Sequence, residues 1–240
     1  MADHAAGGGT GAAAGEDVSA PPGGLAEAKD AAERQALYEA GRLLFAAEAR
    51  FASAARTLEQ IPAPGPPEVA FAGRSNVGKS SLLNALTGRR GLARVSATPG
   101  RTRELVFFDL GGRLRLVDMP GYGYAEVAKS VREAWEGTMF AYLRGRAGLR
   151  RVVLLIDARV GFKPADEAAM RVLDEAAVPY QIALTKADKV KPAVLSAIRA
   201  RAQAVARTHT AAHPLVLATS AETGAGIADL RAELAALASA

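Results

Sequence analysis

Gly73-Arg74-Ser75-Asn76-Val77-Gly78-Lys79-Ser80 is a complete match to G-x-x-x-x-G-K-[ST]. The apolar run Val69-Ala70-Phe71-Ala72 precedes it, and the helix-like stretch Lys79–Thr87 follows. That context predicts a strand delivering the chain to a tight turn that feeds a helix N-terminus. Main-chain N–H groups in such a turn point at phosphate oxygens. Gly73 and Gly78 let the backbone wrap those oxygens without Cβ clashes. Lys79 is placed to reach the β- and γ-phosphates, and the Ser80 hydroxyl to ligate Mg²⁺. The alternative is a chance glycine loop, and the flanking strand and helix count against it. A bound nucleoside triphosphate is therefore expected.

Downstream of this loop the pattern alternates. Glu104–Leu110 and Leu114–Asp118 read as strands joined by a Gly111-Gly112 hairpin turn. A helix near 130–145 follows, then a strand (Val152–Asp157), a helix (165–177), a strand (Tyr180–Leu184), a helix (192–208), a strand (Leu215–Ala218) and a last helix (226–238). This predicts an α/β, three-layer P-loop fold: a six-stranded, mostly parallel sheet with one antiparallel edge strand and helices on both faces. Upstream, residues 1–30 form an Ala/Gly-rich leader of the composition expected for disorder. Residues 31–67 read as an N-terminal helical segment and a linker carrying Pro62, Pro64, Pro66 and Pro67. Leu37, Leu44, Phe51 and Leu58 recur every seventh position across 31–60, as a stripe docking a helix on the domain would. The nucleotide-binding domain spans 68–240 on this reading.

The chain has 240 residues, of which 50% are hydrophobic, enough for one α/β core. No uncharged apolar run reaches membrane-spanning length, and the N-terminus lacks the basic start and apolar stretch of a secretory signal. The absence of cysteine excludes disulfides, thiolate metal sites and thiol catalysis. A cytoplasmic protein with no membrane association, acting as a monomer, is expected. The net charge of +5 is unevenly spread: residues 71–151 hold 15 Lys/Arg against 6 Asp/Glu, the remainder 15 against 19. Arg89, Arg90, Arg94, Arg144, Arg146, Arg150 and Arg151 exceed what a triphosphate needs, and they suit an RNA surface as well as they suit a plain solvated basic face.

Three further motifs narrow the nucleotide. Asp118-Met119-Pro120-Gly121 ends an apolar strand; its Asp suits a Mg²⁺ partner through water and its Gly offers an N–H to a γ-phosphate. Thr185-Lys186-Ala187-Asp188 ends the strand at Tyr180. A carboxylate there can accept from guanine N1–H and the N2 amino group, a donor pair adenine lacks. The Lys186 stem can lie over the base while its ammonium stays wet. Thr219-Ser220-Ala221, after the next strand, can bring a main-chain N–H to guanine O6. Ligands of open α/β sheets bind at the carboxyl ends of strands, where all of these converge.

Together, G-R-S-N-V-G-K-S, T-P-G-R-T, D-M-P-G-Y-G-Y-A, T-K-A-D and T-S-A resemble the EngB (YihA/YsxC) family of bacterial ribosome-biogenesis GTPases, in the Era/TrmE-like branch, over roughly residues 41–238. The resemblance implies GTP/GDP binding with Mg²⁺, slow hydrolysis, a part in large ribosomal subunit assembly through ribosomal RNA or a pre-ribosomal particle, and a link to cell division and septation. It implies that Gly100, Arg101, Thr102, Arg103 and Glu104 join the GTP site, with Thr102 the second Mg²⁺ ligand and Thr98 the competing choice. It also implies that Asn76 serves catalysis beside Lys79, as a K⁺ ligand at the phosphates; the plain alternative is that Asn76 hydrogen-bonds its own loop. The catalytic Gln that many GTPases carry after D-x-x-G is here Tyr122, and neither it nor Tyr124 is a base at neutral pH. Weak intrinsic turnover follows. An ATP-dependent kinase or metabolic enzyme on the same nucleotide fold is the other reading, and Asp188 argues against it.

Overall fold

The computed structural model describes residues 24–93, 104–122 and 137–238. Thr98, Gly100, Arg101, Thr102, Arg103 and Tyr124 lie outside them, as does Arg94.

The sheet has seven strands where six were expected. Its order is β1 (Ala49–Ala55), β3 (Leu105–Leu110), β4 (Leu114–Asp118), β2 (Glu68–Gly73), β5 (Leu149–Asp157), β6 (Tyr180–Thr185) and β7 (Leu217–Ala218). β2 lies parallel between β4 and β5, β6 runs parallel to β5, and β7 to β6. β3 is antiparallel to both its neighbours, β1 and β4. The antiparallel strand is therefore internal, and β1 takes the edge. Every residue of β2 and β6 is buried, as strands covered on both faces must be.

Helices cover both faces. α1 (Ala31–Ala46), α2 (Lys79–Thr87) and α6 (Ile227–Ala238) share one apolar cluster with Phe71, Leu116 and Leu155. α3 (Thr138–Gly145), α4 (Pro164–Glu175) and α5 (Pro192–Ala206) pack on the other face with Ala70, Val117 and Leu154. α1 begins where the Asp30 carboxylate accepts the Glu33 N–H at 2.9 Å, satisfying an orphan donor of the first turn. Arg231 of α6 donates to the carbonyls of Leu86 (2.8 Å) and Ala85 (3.2 Å), closing the C-terminal end of α2, and its guanidinium lies over the Phe45 ring.

The helix expected over 31–60 stops at Ala46. Leu37 and Leu44 are buried in it, but Phe51 sits on β1, 61% exposed, and Leu58 in a short 3₁₀ turn, 48% exposed. The sevenfold spacing beyond Leu44 is thus not one face of a helix. Pairing with β3 satisfies the backbone of 49–55 instead, with a bulge between Phe51 and Ser53.

Arg146 and Arg151, both counted among the candidate RNA-facing arginines, are committed inside the fold. Glu68, fully buried at the start of β2, accepts from Arg146 at 2.5 and 2.9 Å, from Arg115 at 3.3 Å and from the Tyr142 hydroxyl at 3.1 Å. Glu233 on α6, also fully buried, pairs with Arg151 at 3.0 Å and accepts the Leu25 N–H at 2.5 Å. A buried carboxylate needs such partners. Arg89 pairs with Glu48 at 3.3 Å on the surface. Arg146 and Arg151 therefore drop out of the expected RNA-facing set.

Candidate functional site

The phosphate loop runs from Gly73 at the end of β2 to Lys79 at the start of α2. Gly78 caps the helix with φ 106°, a conformation that suits glycine. Asn76 is also left-handed, with φ 63°. The loop closes on itself through Val77 N–H to Arg74 O (3.1 Å) and Leu82 N–H to Gly78 O (2.9 Å). Asp118, at the end of β4, comes to the loop because β4 runs parallel beside β2, with Phe71 opposite Asp118. Its carboxylate and the Lys79 ammonium are in direct contact.

The segment after Asp118 lies along the loop. Ser75 N–H donates to Tyr122 O (3.1 Å), and Tyr122 N–H to Gly73 O (3.3 Å). Met119 and Pro120 are buried, whereas Gly121 is exposed between them and buried Tyr122. The Tyr122 ring enters the core and its hydroxyl donates to Asp166 Oδ1 at 3.1 Å. Burial, and then the Asp166 charge, push this phenol well above its ordinary range. It is no base, in keeping with the sequence reading, and its ring does not stand in for the missing Gln.

The Thr185–Asp188 motif reaches the phosphate loop directly. The Thr185 hydroxyl donates to Val77 O at 2.6 Å, and Lys186 Nζ to Asn76 O at 2.7 Å and to Asp157 Oδ2 at 2.9 Å. Asp157 ends β5 and also holds Arg159 through Nε at 3.0 Å and Nη2 at 2.8 Å. Burial alone would raise the Asp157 carboxyl, but the hydrogen bonds from Arg159 and then Lys186 outweigh it and hold the group at about 2. Ala187 N–H donates to Thr219 O at 3.1 Å, and Thr219 N–H and hydroxyl both return to Leu184 O. The Ser220 hydroxyl lowers the Asp188 carboxyl below its usual value, so Asp188 is an anion there. A cleft of about 430 Å³ opens between these loops, bordered by Gly78, Leu82, Arg159, Lys186, Asp188 and Ala221. Its size suits a small ligand.

Thus the structure brings together the phosphate loop, Asp118–Gly121, Thr185–Asp188 and Thr219–Ala221. Arg74 faces away from the cleft, donating to Asp166 Oδ1 (3.1 Å) and Gly161 O (3.1 Å), so only its backbone is at the loop. The Met119 and Val77 side chains belong to the two apolar clusters. Glu104 is paired with Arg56 of the β1 side. Asp157 and Arg159 were missed, although an Asp at a strand's carboxyl end is the same signal that singled out Asp118.

The family of 50S ribosome-binding GTPases matches residues 68–186. A probable GTP-binding protein EngB of Gluconobacter oxydans (strain 621H) is 60% identical over 201 residues, covering 84% of this chain and 88% of the relative. The chain belongs to the EngB family of GTP-binding proteins. A second EngB relative, from Rhodospirillum rubrum, is 53% identical over 228 residues, covering 93% of this chain and 99% of its own length. A crystal structure of a probable GTP-binding protein EngB superposes with TM-score 0.56 at 26% identity, over 71% of this chain and 98% of the other. Membership makes this a P-loop GTPase, and the sheet with its loops is the fold that goes with it. Among the described residues, no helix of this EngB-family chain is long and apolar enough to cross a membrane.

Proposed function

We propose that the chain is a cytoplasmic GTP/GDP switch that acts in assembly of the large ribosomal subunit, with its family's link to cell division and septation, and hydrolyses GTP slowly by itself. The observation that carries the nucleotide part of this reading is the Lys186–Asn76 bond, which ties the motif ending in the Asp188 anion to the phosphate loop, whose Lys79 meets Asp118. The phosphate loop recognises a triphosphate; Asp188 recognises guanine by accepting from N1–H and N2. The exposed Ala221 N–H, which donates to no acceptor among the described residues, supplies the complementary donor for O6.

Mg²⁺ fits the residues present. The Ser80 hydroxyl, on the first turn of α2, and the Asp118 carboxylate are hard oxygen donors beside the loop that cradles phosphates. Ser80 would ligate the ion and Asp118 would hold its water, with Thr102 the further ligand from the preceding segment. When bound, the ion neutralises charge on the β- and γ-phosphates. Lys79 orients the same oxygens. Tyr122, which stands where many GTPases carry the Gln that orients water, is buried with its hydroxyl on Asp166, which supports slow turnover. Asn76 remains the candidate K⁺ ligand: its carbonyl is taken by Lys186, and its side-chain amide makes no hydrogen bond to its own loop. Equal GTPase rates in K⁺ and Na⁺ would remove that role.

Two experiments test the whole reading. In competition against labelled GDP, GTP should displace the label and ATP should not; equal displacement would sink the guanine claim. Ribosomal particles sedimented with the protein locked in the GTP or GDP form should show nucleotide-dependent co-sedimentation with large-subunit precursors. Its absence would count against the assembly role. A monomer meeting the particle through basic surface would bind less at high salt.

A further inference from the structure

Asp166 belongs to no motif, yet it holds two of them. It is the third residue of α4, fully buried, and its Oδ2 accepts the Lys163 N–H at 2.9 Å as an ordinary first-turn carboxylate does. A cap of that kind is usually at the surface. This one is buried and faces Arg74 Nε and the Tyr122 hydroxyl, each 3.1 Å from Oδ1. Arg74 is the second residue of the phosphate loop, and Tyr122 directly follows Gly121. The three partners lie far apart in sequence, and a buried carboxylate costs several kcal/mol when unpaired.

The arrangement holds Tyr122, the residue that follows Gly121. Pro120 upstream is buried and restricted in φ. Tyr122 downstream is held by two main-chain bonds to Gly73 and Ser75 and by its hydroxyl on Asp166. Between them, exposed Gly121 packs against Ser75, where a Cβ would come within 3.0 Å of the Ser75 hydroxyl oxygen. A peptide with both ends held can move only by rotating in place. We infer that Asp166 is a positioning residue for the Gly121 peptide, acting through Tyr122 and Arg74 so that its N–H meets a γ-phosphate. The inference rests on the GTP/GDP switch reading and adds to it the device that distinguishes the two nucleotides.

The test compares wild type with D166N and Y122F, measuring affinities for GDP and for a non-hydrolysable GTP analogue, with thermal unfolding alongside. D166N keeps the size of the side chain but removes the anion that Arg74 pairs with. Y122F removes one hydrogen bond and leaves the ring in the core. Positioning predicts that the analogue binds about tenfold more weakly to both variants, while GDP affinity changes less than about twofold; tenfold corresponds to about 1.4 kcal/mol. Equal losses for both nucleotides, or losses confined to D166N and tracking a fall in melting temperature, would mean a merely structural carboxylate and overturn the inference. Unchanged affinities in Y122F overturn it too. A wild-type protein that fails to bind either guanine nucleotide would instead defeat the switch reading on which the inference stands.

Discussion

The ammonium of Lys186 lies 2.7 Å from the main-chain carbonyl oxygen of Asn76, so the loop proposed to read the base also holds the apex of the loop that takes the phosphates. Asp157 fixes the other side of the same ammonium at 2.9 Å. Two loops distant in sequence are thereby tied together. Lys186 has a second use as an apolar stem for the base, and the two uses can be separated. K186M keeps the stem and loses the charged hydrogen bonds, each worth about 1.5–3 kcal/mol. It should weaken GTP and GDP alike by at least about tenfold in a fluorescent-nucleotide titration. An unchanged affinity would mean that the tether to Asn76 does not organise the loop.

Asp157 supplies a prediction in pH. Its folded carboxyl titrates at about 2, below the ordinary 3.8, because Arg159 and Lys186 outweigh the cost of burial. A carboxyl depressed on folding contributes stability that is complete above the unfolded value and is lost as pH falls from there toward the folded one. The contribution should therefore be present at pH 5 and fade below about pH 4. D157N should melt below wild type at pH 5.5, and the gap between their melting temperatures should narrow by pH 3. A gap that does not change with pH would show that the loss comes from packing and not from the carboxylate's charge.

Asp188 predicts an exchange of base preference. Guanine offers two donors, N1–H and N2–H, to a carboxylate. Xanthine offers N1–H beside a carbonyl oxygen, which matches an amide. D188N should bind GTP more weakly, because a donor would then face a donor, and should gain affinity for xanthosine triphosphate. Competition of the two nucleotides against a labelled probe reads both changes. Equal loss for both would place the base elsewhere.

The motifs of the candidate site were legible because each is contiguous: the glycines, Lys79 and Ser80, or Thr185 through Asp188, carry their chemistry within a few residues. What escaped depends on distant partners. β1 reads Ala49-Arg50-Phe51-Ala52-Ser53-Ala54-Ala55, nearly without β-branched or aromatic residues, and only its pairing with β3 makes it a strand. The heptad spacing of Leu37, Leu44 and Phe51 ran through the helix end because periodicity cannot see a tertiary pairing. Arg146 and Arg151 counted as surface charge until Glu68 and Glu233 were found beside them. Asp166 belongs to no contiguous motif, and its partners Arg74 and Tyr122 come from distant parts of the chain.

Gly226 ties the Thr219–Ala221 loop to the last helix. Its φ is +68°, and a Cβ there would stand 2.0 Å from Ala218 O, just before Thr219. G226A must push away the strand end that carries Thr219–Ala221. Both strain and contact oppose the substitution, and a loss of more than about 2 kcal/mol is expected. Chemical denaturation should give that figure, and GDP affinity should fall with it. A variant as stable as wild type would mean that the β7–α6 connection moves freely.

The basic residues divide into two classes with opposite expected phenotypes. Arg146 leaves Glu68 buried with only its weaker partners when removed, and breaking a buried pair costs about 3–5 kcal/mol. R146A should therefore unfold at lower denaturant whether or not RNA is present. Arg90 is exposed beyond the end of α2, and reversing its charge should leave the fold untouched. If the basic segment faces ribosomal RNA, R90E should weaken binding to large-subunit precursors and flatten its salt dependence, since one phosphate contact fewer releases fewer counterions. Denaturation and sedimentation over a salt series, run on both variants, separate the two effects. Unaltered precursor binding by R90E at every salt concentration would assign Arg90 to a plain solvated face and move the RNA contact to another part of the chain.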